Sequence, residues 1–285
     1  MALLFIIEKI KKRKDVINMK LTDFEYAGEK LSTHNCMVCT FDGGGQDTVS
    51  LGNNVTFTSV RNNNSYIQHK VSTSYDDMYS ITFNISKMNC KNKNDYEFTD
   101  QEIRSLMKWL NRKSYEKFKP IYNKVYDGTY FKGSFNVQAV TFAGSTIGFE
   151  LTFTTNAPYG FAEKEKITSS LTANGSINIK SDSDEIGYLY PSMKITCKSA
   201  GKLTISNSAD SKYTVINNCS NGEVITFNGE SKVITSSSHT ALSNDFNYIY
   251  PKIITKYDSD VNKFTFSLPC SVEIDYSPIR KVGVM

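Results

Sequence analysis

Turn dipeptides cut the second half of this chain into pieces that suit short strands. Asn174-Gly175, Ala200-Gly201, Asn221-Gly222 and Asn228-Gly229 each place a glycine where the backbone can reverse. Around them lie short runs at 194–197, 203–206, 213–217, 224–227 and 232–235, with further strands expected at 252–257, 263–268 and 271–276. Short alternating segments between frequent turns predict an antiparallel sandwich. No fixed-period repeat accompanies them, which argues against a propeller or solenoid.

The first half has the same texture with one interruption. Residues 24–27, 37–41, 55–59, 78–85 and 126–140 read as strands, and in the last of these Asp127-Gly128 and Lys132-Gly133 are expected to separate successive strands. Ile147, Phe149, Leu151 and Phe153 alternate onto one face. The interruption is Thr99-Asp100-Gln101-Glu102, a capping box in which a hydroxyl and a carboxylate each satisfy a free amide at a helix start. Behind it Ile103, Leu106, Met107 and Leu110 follow helical spacing, so a helix is expected from about 100 to 112, with Trp109 off the centre of its apolar stripe. Strand patterning halts at Ala157-Pro158-Tyr159-Gly160, and a charged run follows at Glu163-Lys164-Glu165-Lys166, as at a domain boundary. The expected organisation is mainly β, with two β-sandwich domains over 19–162 and 163–285, the first carrying one packed α-helix. Residues 1–18 stand apart. An apolar run at 2–7 before a basic one at 9–14 reverses signal-peptide order and is too short to span a membrane. Two readings stay open there: an amphipathic anchor helix, or an upstream start ahead of Met19.

Charge and chemistry narrow the function. Lys+Arg number 33 against Asp+Glu 29, a net +4, too small an imbalance for a protein whose main task is neutralising phosphates. Six cysteines sit at 36, 39, 90, 197, 219 and 270, and reduced thiols suit a protein made in a cytoplasm. Cys36 and Cys39 form a lone CxxC with no second ligand pair, and in an extended segment they point to opposite faces. Gly43-Gly44-Gly45 lacks the Lys-Ser/Thr of a phosphate loop and reads as a flexible turn. His34, His69 and His239 have no nucleophile signature beside them. Asp182-Ser183-Asp184-Glu185-Ile186-Gly187 resembles half a calcium loop, but Ile186 and Met193 occupy ligand positions, so a solvated acidic turn is the better reading. No catalytic, metal or cofactor site emerges. Basic and aromatic residues interleave once, from Lys108 to Lys119. That run suits an intersubunit contact or a solvated helix end better than a nucleic-acid surface.

Several stretches taken in order carry a resemblance. They are Phe24-Glu-Tyr-Ala-Gly-Glu-Lys-Leu-Ser32, Cys36-Met-Val-Cys-Thr-Phe-Asp42, Met107-Lys-Trp-Leu-Asn-Arg-Lys113 running into Tyr115 and Phe118, Tyr130-Phe-Lys-Gly-Ser-Phe-Asn-Val137, and Gly148-Phe-Glu-Leu-Thr-Phe-Thr-Thr-Asn-Ala-Pro158. Together they resemble phage distal tail proteins from viruses and prophages of Gram-positive bacteria. The likeness is good over residues 20 to 162 and fainter beyond, returning from Leu268-Pro-Cys270 to Arg280-Lys-Val282.

The resemblance implies a virion structural protein without enzymatic activity: a homohexameric ring at the distal tip of a phage tail. Its expected partners are the tail tube protein, a tail-associated lysin or tail-tip protein and, as a further candidate, a receptor-binding protein, with no membrane and no nucleic-acid specificity. Synthesis in the bacterial host cytoplasm follows from the same resemblance. It also implies a tail-tube-like first domain that makes the ring and a galectin-like second domain, with the last residues a candidate to return to the first. Trp109, Arg112, Tyr115, Phe118, Gly43, Gly44 and Gly45 are the expected subunit-interface residues, and the polar 43–54 and 61–77 stretches are candidates for edge-to-edge pairing. The rival reading is a carbohydrate-binding adsorption protein that contacts the host cell wall through Tyr188, Tyr190, Tyr248 and Tyr250. Against it, galectin-type sugar sites use a Trp platform, and the single Trp of this chain lies in the first domain.

Overall fold

The computed structural model describes residues 21–39, 55–63, 66–75, 78–88, 96–122, 128–257 and 261–281. The 1–18 extension, Gly43, Gly44, Gly45 and Cys90 lie outside the described residues. The chain divides into two units, with the division between Gly160 and Phe161.

In the first unit the strands are β1 (Leu21–Tyr26), β2 (Glu29–Lys30), β3 (Cys36–Cys39), β4 (Val55–Arg61), β5 (Gln68–Tyr75), β6 (Ser80–Lys87), β7 (Glu116–Tyr122), β8 (Thr129–Phe142) and β9 (Ser145–Thr155), with a 3-10 turn at Leu31–His34 and helix α1 at Asp100–Leu110. An antiparallel sheet runs in the order β2-β1-β7-β8-β9-β6-β3. It curls: Phe24 on β1 and Phe83 on β6 are several strands apart in that order, yet their rings lie 5.5 Å apart. Phe118, Phe135 and Phe153 fill the space between, with Phe118 stacked on Phe153 at 4.5 Å. The first unit thus curls its main sheet about an aromatic core.

Helix α1 starts as its capping box dictates. Thr99 Oγ1 accepts the Glu102 amide at 3.3 Å, and Glu102 Oε2 accepts the Thr99 amide at 2.8 Å. Leu106, Trp109 and Leu110 form its buried side. One expectation needs correction. Lys132-Gly133 is no turn, because β8 runs through it. A Cβ at position 133 would lie 2.2 Å from the Thr154 carbonyl and 2.6 Å from the Phe153 ring, so the glycine serves close strand packing. Within the 61–77 stretch, Arg61 and Gln68–Tyr75 belong to a two-stranded ribbon formed by β4 and β5.

The second unit follows β10 (Gly160–Ala162), which spans the division. It comprises β11 (Glu165–Leu171), β12 (Gly175–Lys180), β13 (Gly187–Leu189), β14 (Ser192–Cys197), β15 (Gly201–Asn207), β16 (Tyr213–Cys219), β17 (Val224–Asn228), β18 (Val233–Ser236), the short helix α2 (Leu242–Asp245), β19 (Ile253–Thr255), β20 (Val261–Phe266), β21 (Cys270–Tyr276) and β22 (Ile279–Arg280). A five-stranded sheet, β11-β21-β14-β17-β18, faces a four-stranded one, β12-β20-β15-β16. Alternate residues of each strand point inward: Met193, Ile195 and Cys197 from β14, Val272 and Ile274 from β21, Leu203 and Ile205 from β15, Phe264 and Phe266 from β20. This is the antiparallel sandwich that the turn spacing predicts.

Candidate assembly surfaces

The residues expected at a subunit contact separate by burial. Trp109 is 3% exposed. Its indole N–H donates to the Tyr26 carbonyl at 2.9 Å, and its ring stacks on His34 with centroids 4.2 Å apart. Phe118 is fully buried on β7. Neither offers contact area to a neighbour, and what they can supply is support from beneath. Arg112 Nε donates to the Trp109 carbonyl at 3.0 Å, closing the helix end. Tyr115 alone of this group is open to solvent, at 62%. The basic-aromatic run is thus a helix end followed by a strand whose alternation buries Phe118, Pro120 and Tyr122. Lysines 117 and 119 are engaged locally, over the Tyr130 ring and beside Glu25.

The ribbon β4–β5 presents the opposite case. All seven β4 residues are exposed, as are the β5 residues up to Tyr75. Phe57, Val60, Ile67 and Val71 are each more than half exposed, and Tyr66 almost wholly so. Among the described residues the two strands pair only with each other. An isolated two-stranded hairpin is marginal in water, and apolar side chains on such an arm mark it for cover by another surface. The sequence shows strand alternation at Val55–Ser59, but no local signal says that neither face meets a core. A second projection is the β8–β9 hairpin, which turns through Ala143 and Gly144, both at positive φ. It carries Phe142 at 67% exposure near its tip.

In the second unit, three of the four singled-out tyrosines come together. Tyr188 meets Tyr190 at 5.4 Å, and Tyr190 meets Tyr250 at 6.4 Å, both edge-on. Tyr248 packs on Phe246. Lys232 Nζ lies 4.5 Å from the Tyr190 ring centre, and Lys252 Nζ lies 4.6 Å from that of Tyr188. Burial raises the Tyr190 phenol, and the adjoining Tyr188 hydroxyl adds to the shift.

The remaining reactive groups are structurally engaged. His239 lies between two carboxylates, with Nδ1 3.0 Å from Glu223 and Nε2 2.9 Å from Asp245. The hydrogen bond to Asp245 is the largest cause raising the imidazole, opposed by burial and reinforced by Glu223. Burial works to raise Glu223, but bonds from Ser236, the Ser220 amide and His239 hold it below the usual carboxylate range. Burial pushes the thiols of Cys36 and Cys270 up to about 11, which leaves them poor nucleophiles near neutrality. The acidic 182–187 turn is engaged from within the unit: Asp182 and Asp184 both pair with Arg280, and Glu185 with Lys281. Beside α1, a cleft between His34, Lys87, Phe98 and Glu102 already contains a Lys87–Glu102 ion pair at 2.7 Å. No cluster of metal-ligating side chains occurs among the described residues. No described helix is long and apolar enough to cross a membrane.

Comparison with known proteins adds the remaining facts. Residues 19–157 match the family described as the phage tail protein N-terminal domain. Residues 159–276 match that described as the phage tail C-terminal domain. No curated protein matches the sequence. Among solved structures, the Dit protein of SPP1, presented as a paradigm of the hub adsorption apparatus in phages infecting Gram-positive bacteria, superposes with a TM-score of 0.63 at 9% identity. That match covers 90% of this chain and 99% of that one. The phage p2 baseplate in its activated conformation with strontium superposes at 0.47 and 10% identity, over 90% of this chain and 98% of that one. The likeness to the SPP1 protein is one of fold.

Proposed function

The chain belongs to the phage tail protein family, and on that footing we propose that it is a distal tail protein, a structural hub and not an enzyme. Six copies close into a ring by one heterologous contact repeated about a rotation axis. The ring sits at the distal tip of the virion tail and joins the tail tube protein to a tail-associated lysin or tail-tip protein. A receptor-binding protein is a further partner. The observation that carries this reading is the β4–β5 arm. Among the described residues its strands pair only with each other, and they expose Phe57, Val60, Ile67 and Val71, which is what a neighbouring copy would cover. Stable contacts bury about 1,200–2,000 Å² in total, so an arm of this kind adds usefully to each junction. The SPP1 likeness supports the same reading at the level of fold.

The test is the assembly state of the full chain by mass photometry, followed by negative-stain averaging. A six-fold ring is the expected result at micromolar concentration or on addition of a tail tube or tail-tip protein. A particle that stays monomeric in both settings overturns the proposal.

A further inference from the structure

We propose that the second unit binds an acidic glycan chain on the surface formed by Tyr188, Tyr190, Lys232 and Lys252, with Tyr250 packed behind Tyr190 on the core. These residues are not among those assigned to the ring contact, and glycan binding is read by a different measurement.

The surface is held in place by its scaffold. Tyr188 on β13 pairs in register with Ile254 on β19. The side chain of buried Asn262 bonds both backbone groups of Ile254, at 2.8 and 2.9 Å. Asn207 Nδ2 donates to the Lys252 carbonyl and to Asn262 Oδ1, each at 2.7 Å. On the other side, Gly229 lets the β17–β18 turn press on the Tyr190 backbone, where a Cβ would lie 2.1 Å from the Tyr190 carbonyl. That approach brings Lys232 over the Tyr190 ring. Lys252 reaches the same ring at 5.9 Å, in addition to that of Tyr188.

Two ammonium groups therefore converge on one tyrosine pair, and neither has an ion-pair partner among the described residues. The acidic group that acts on Tyr190 is Asp210. Cations held on aromatic faces keep their charge available to an incoming anion. The tyrosines add what charge alone does not. Each joins an apolar ring to a hydroxyl, and this matches the alternating C–H and O–H surface of a sugar. Tyr188 is 57% exposed, so part of that surface is open. An acidic polypeptide would satisfy the lysines but leave the rings without a matching face.

The test is native gel retardation of the full chain in gels containing polygalacturonate, dextran sulfate, neutral dextran or poly-L-glutamate. Both acidic glycans are expected to retard the protein, and the dextran and polyglutamate gels are not. Tyr188→Ala and the double change Lys232→Glu with Lys252→Glu are each expected to weaken retardation about five-fold or more. The double change Lys180→Glu with Lys263→Glu, at exposed positions on β12 and β20, shifts net charge by as much as the lysine patch variant does and is expected to change little. Four results would each overturn the proposal: no retardation by either acidic glycan, equal retardation by polyglutamate or by dextran, no effect of the two patch variants, or an equal effect of the Lys180 and Lys263 double change.

Discussion

Gly133 lies in the middle of β8 with the Thr154 carbonyl 2.2 Å from where a Cβ would stand and the Phe153 ring just beyond it. Backbone on one side and a packed aromatic on the other leave little room to relax. Gly133→Ala is therefore expected to destabilise the first unit by about 3 kcal/mol, seen as a melting temperature lower by roughly 10 °C. A variant that melts with the parent would mean that β8 and β9 can part at no cost. His239 makes a second residue-scale prediction, with pH as the variable. Its imidazole is raised above the ordinary 6.5, so its stabilisation is complete below that value and lost as pH rises through the raised one. Glu223 is lowered from 4.5, so its share is present above that value and lost as pH falls through the depressed one. Stability of the second unit should form a plateau between, with an alkaline limb that His239→Gln abolishes. The same change leaves a buried carboxylate without its cation, at a cost of about 3 kcal/mol. Calorimetry from pH 4 to 9 reads both effects, and an alkaline limb that survives in the variant refutes the assignment.

At the scale of elements, what could be read in advance depended on how far apart the deciding residues lie. The α1 capping box is complete within four residues, Thr99 to Glu102, so the helix is legible from local chemistry. Thr99→Ala should cost about 1 kcal/mol in denaturant titration while Thr99→Ser costs little. A neutral Thr99→Ala would show that Trp109 and Leu110 alone hold the helix. The inward alternation of β9 and β21 is legible for the same local reason. β7 was not, because Lys117 and Lys119 on either side of Phe118 look like a charged surface, and only a partner strand shows which face is buried. Gly133 was misleading because its reason lies on β9, some twenty residues away. The grouping of Tyr188 and Tyr190 with Tyr250 and Lys232 depends on strands that meet only in the folded sandwich. Residue type suggested those tyrosines, but pairing of β13 with β19 is what assembled them.

For the whole molecule, the contrast between two well-filled cores and one uncovered arm governs behaviour. Buried side chains in the first unit include Phe24, Phe118 and Phe153, and those in the second include Ile195, Phe227 and Phe266; each set is sufficient to hold its sheets. Among the described residues the β4–β5 ribbon pairs with no other strand, and a hairpin alone opens readily. In the free chain, trypsin should therefore cut first at exposed Arg61 and Lys70, ahead of sites in either core. If a neighbouring copy covers the arm in the ring, those two sites become slow in the assembled particle while cleavage at exposed Lys180 of the second unit keeps its rate. Peptide mapping of matched digests, one below and one above the assembly concentration, separates the cases. Equal cleavage at Arg61 and Lys70 in both would place the subunit contact elsewhere, with the β8–β9 hairpin and Tyr115 as the next surfaces to examine. Protection confined to the arm would identify its apolar side chains as the contact that closes the ring.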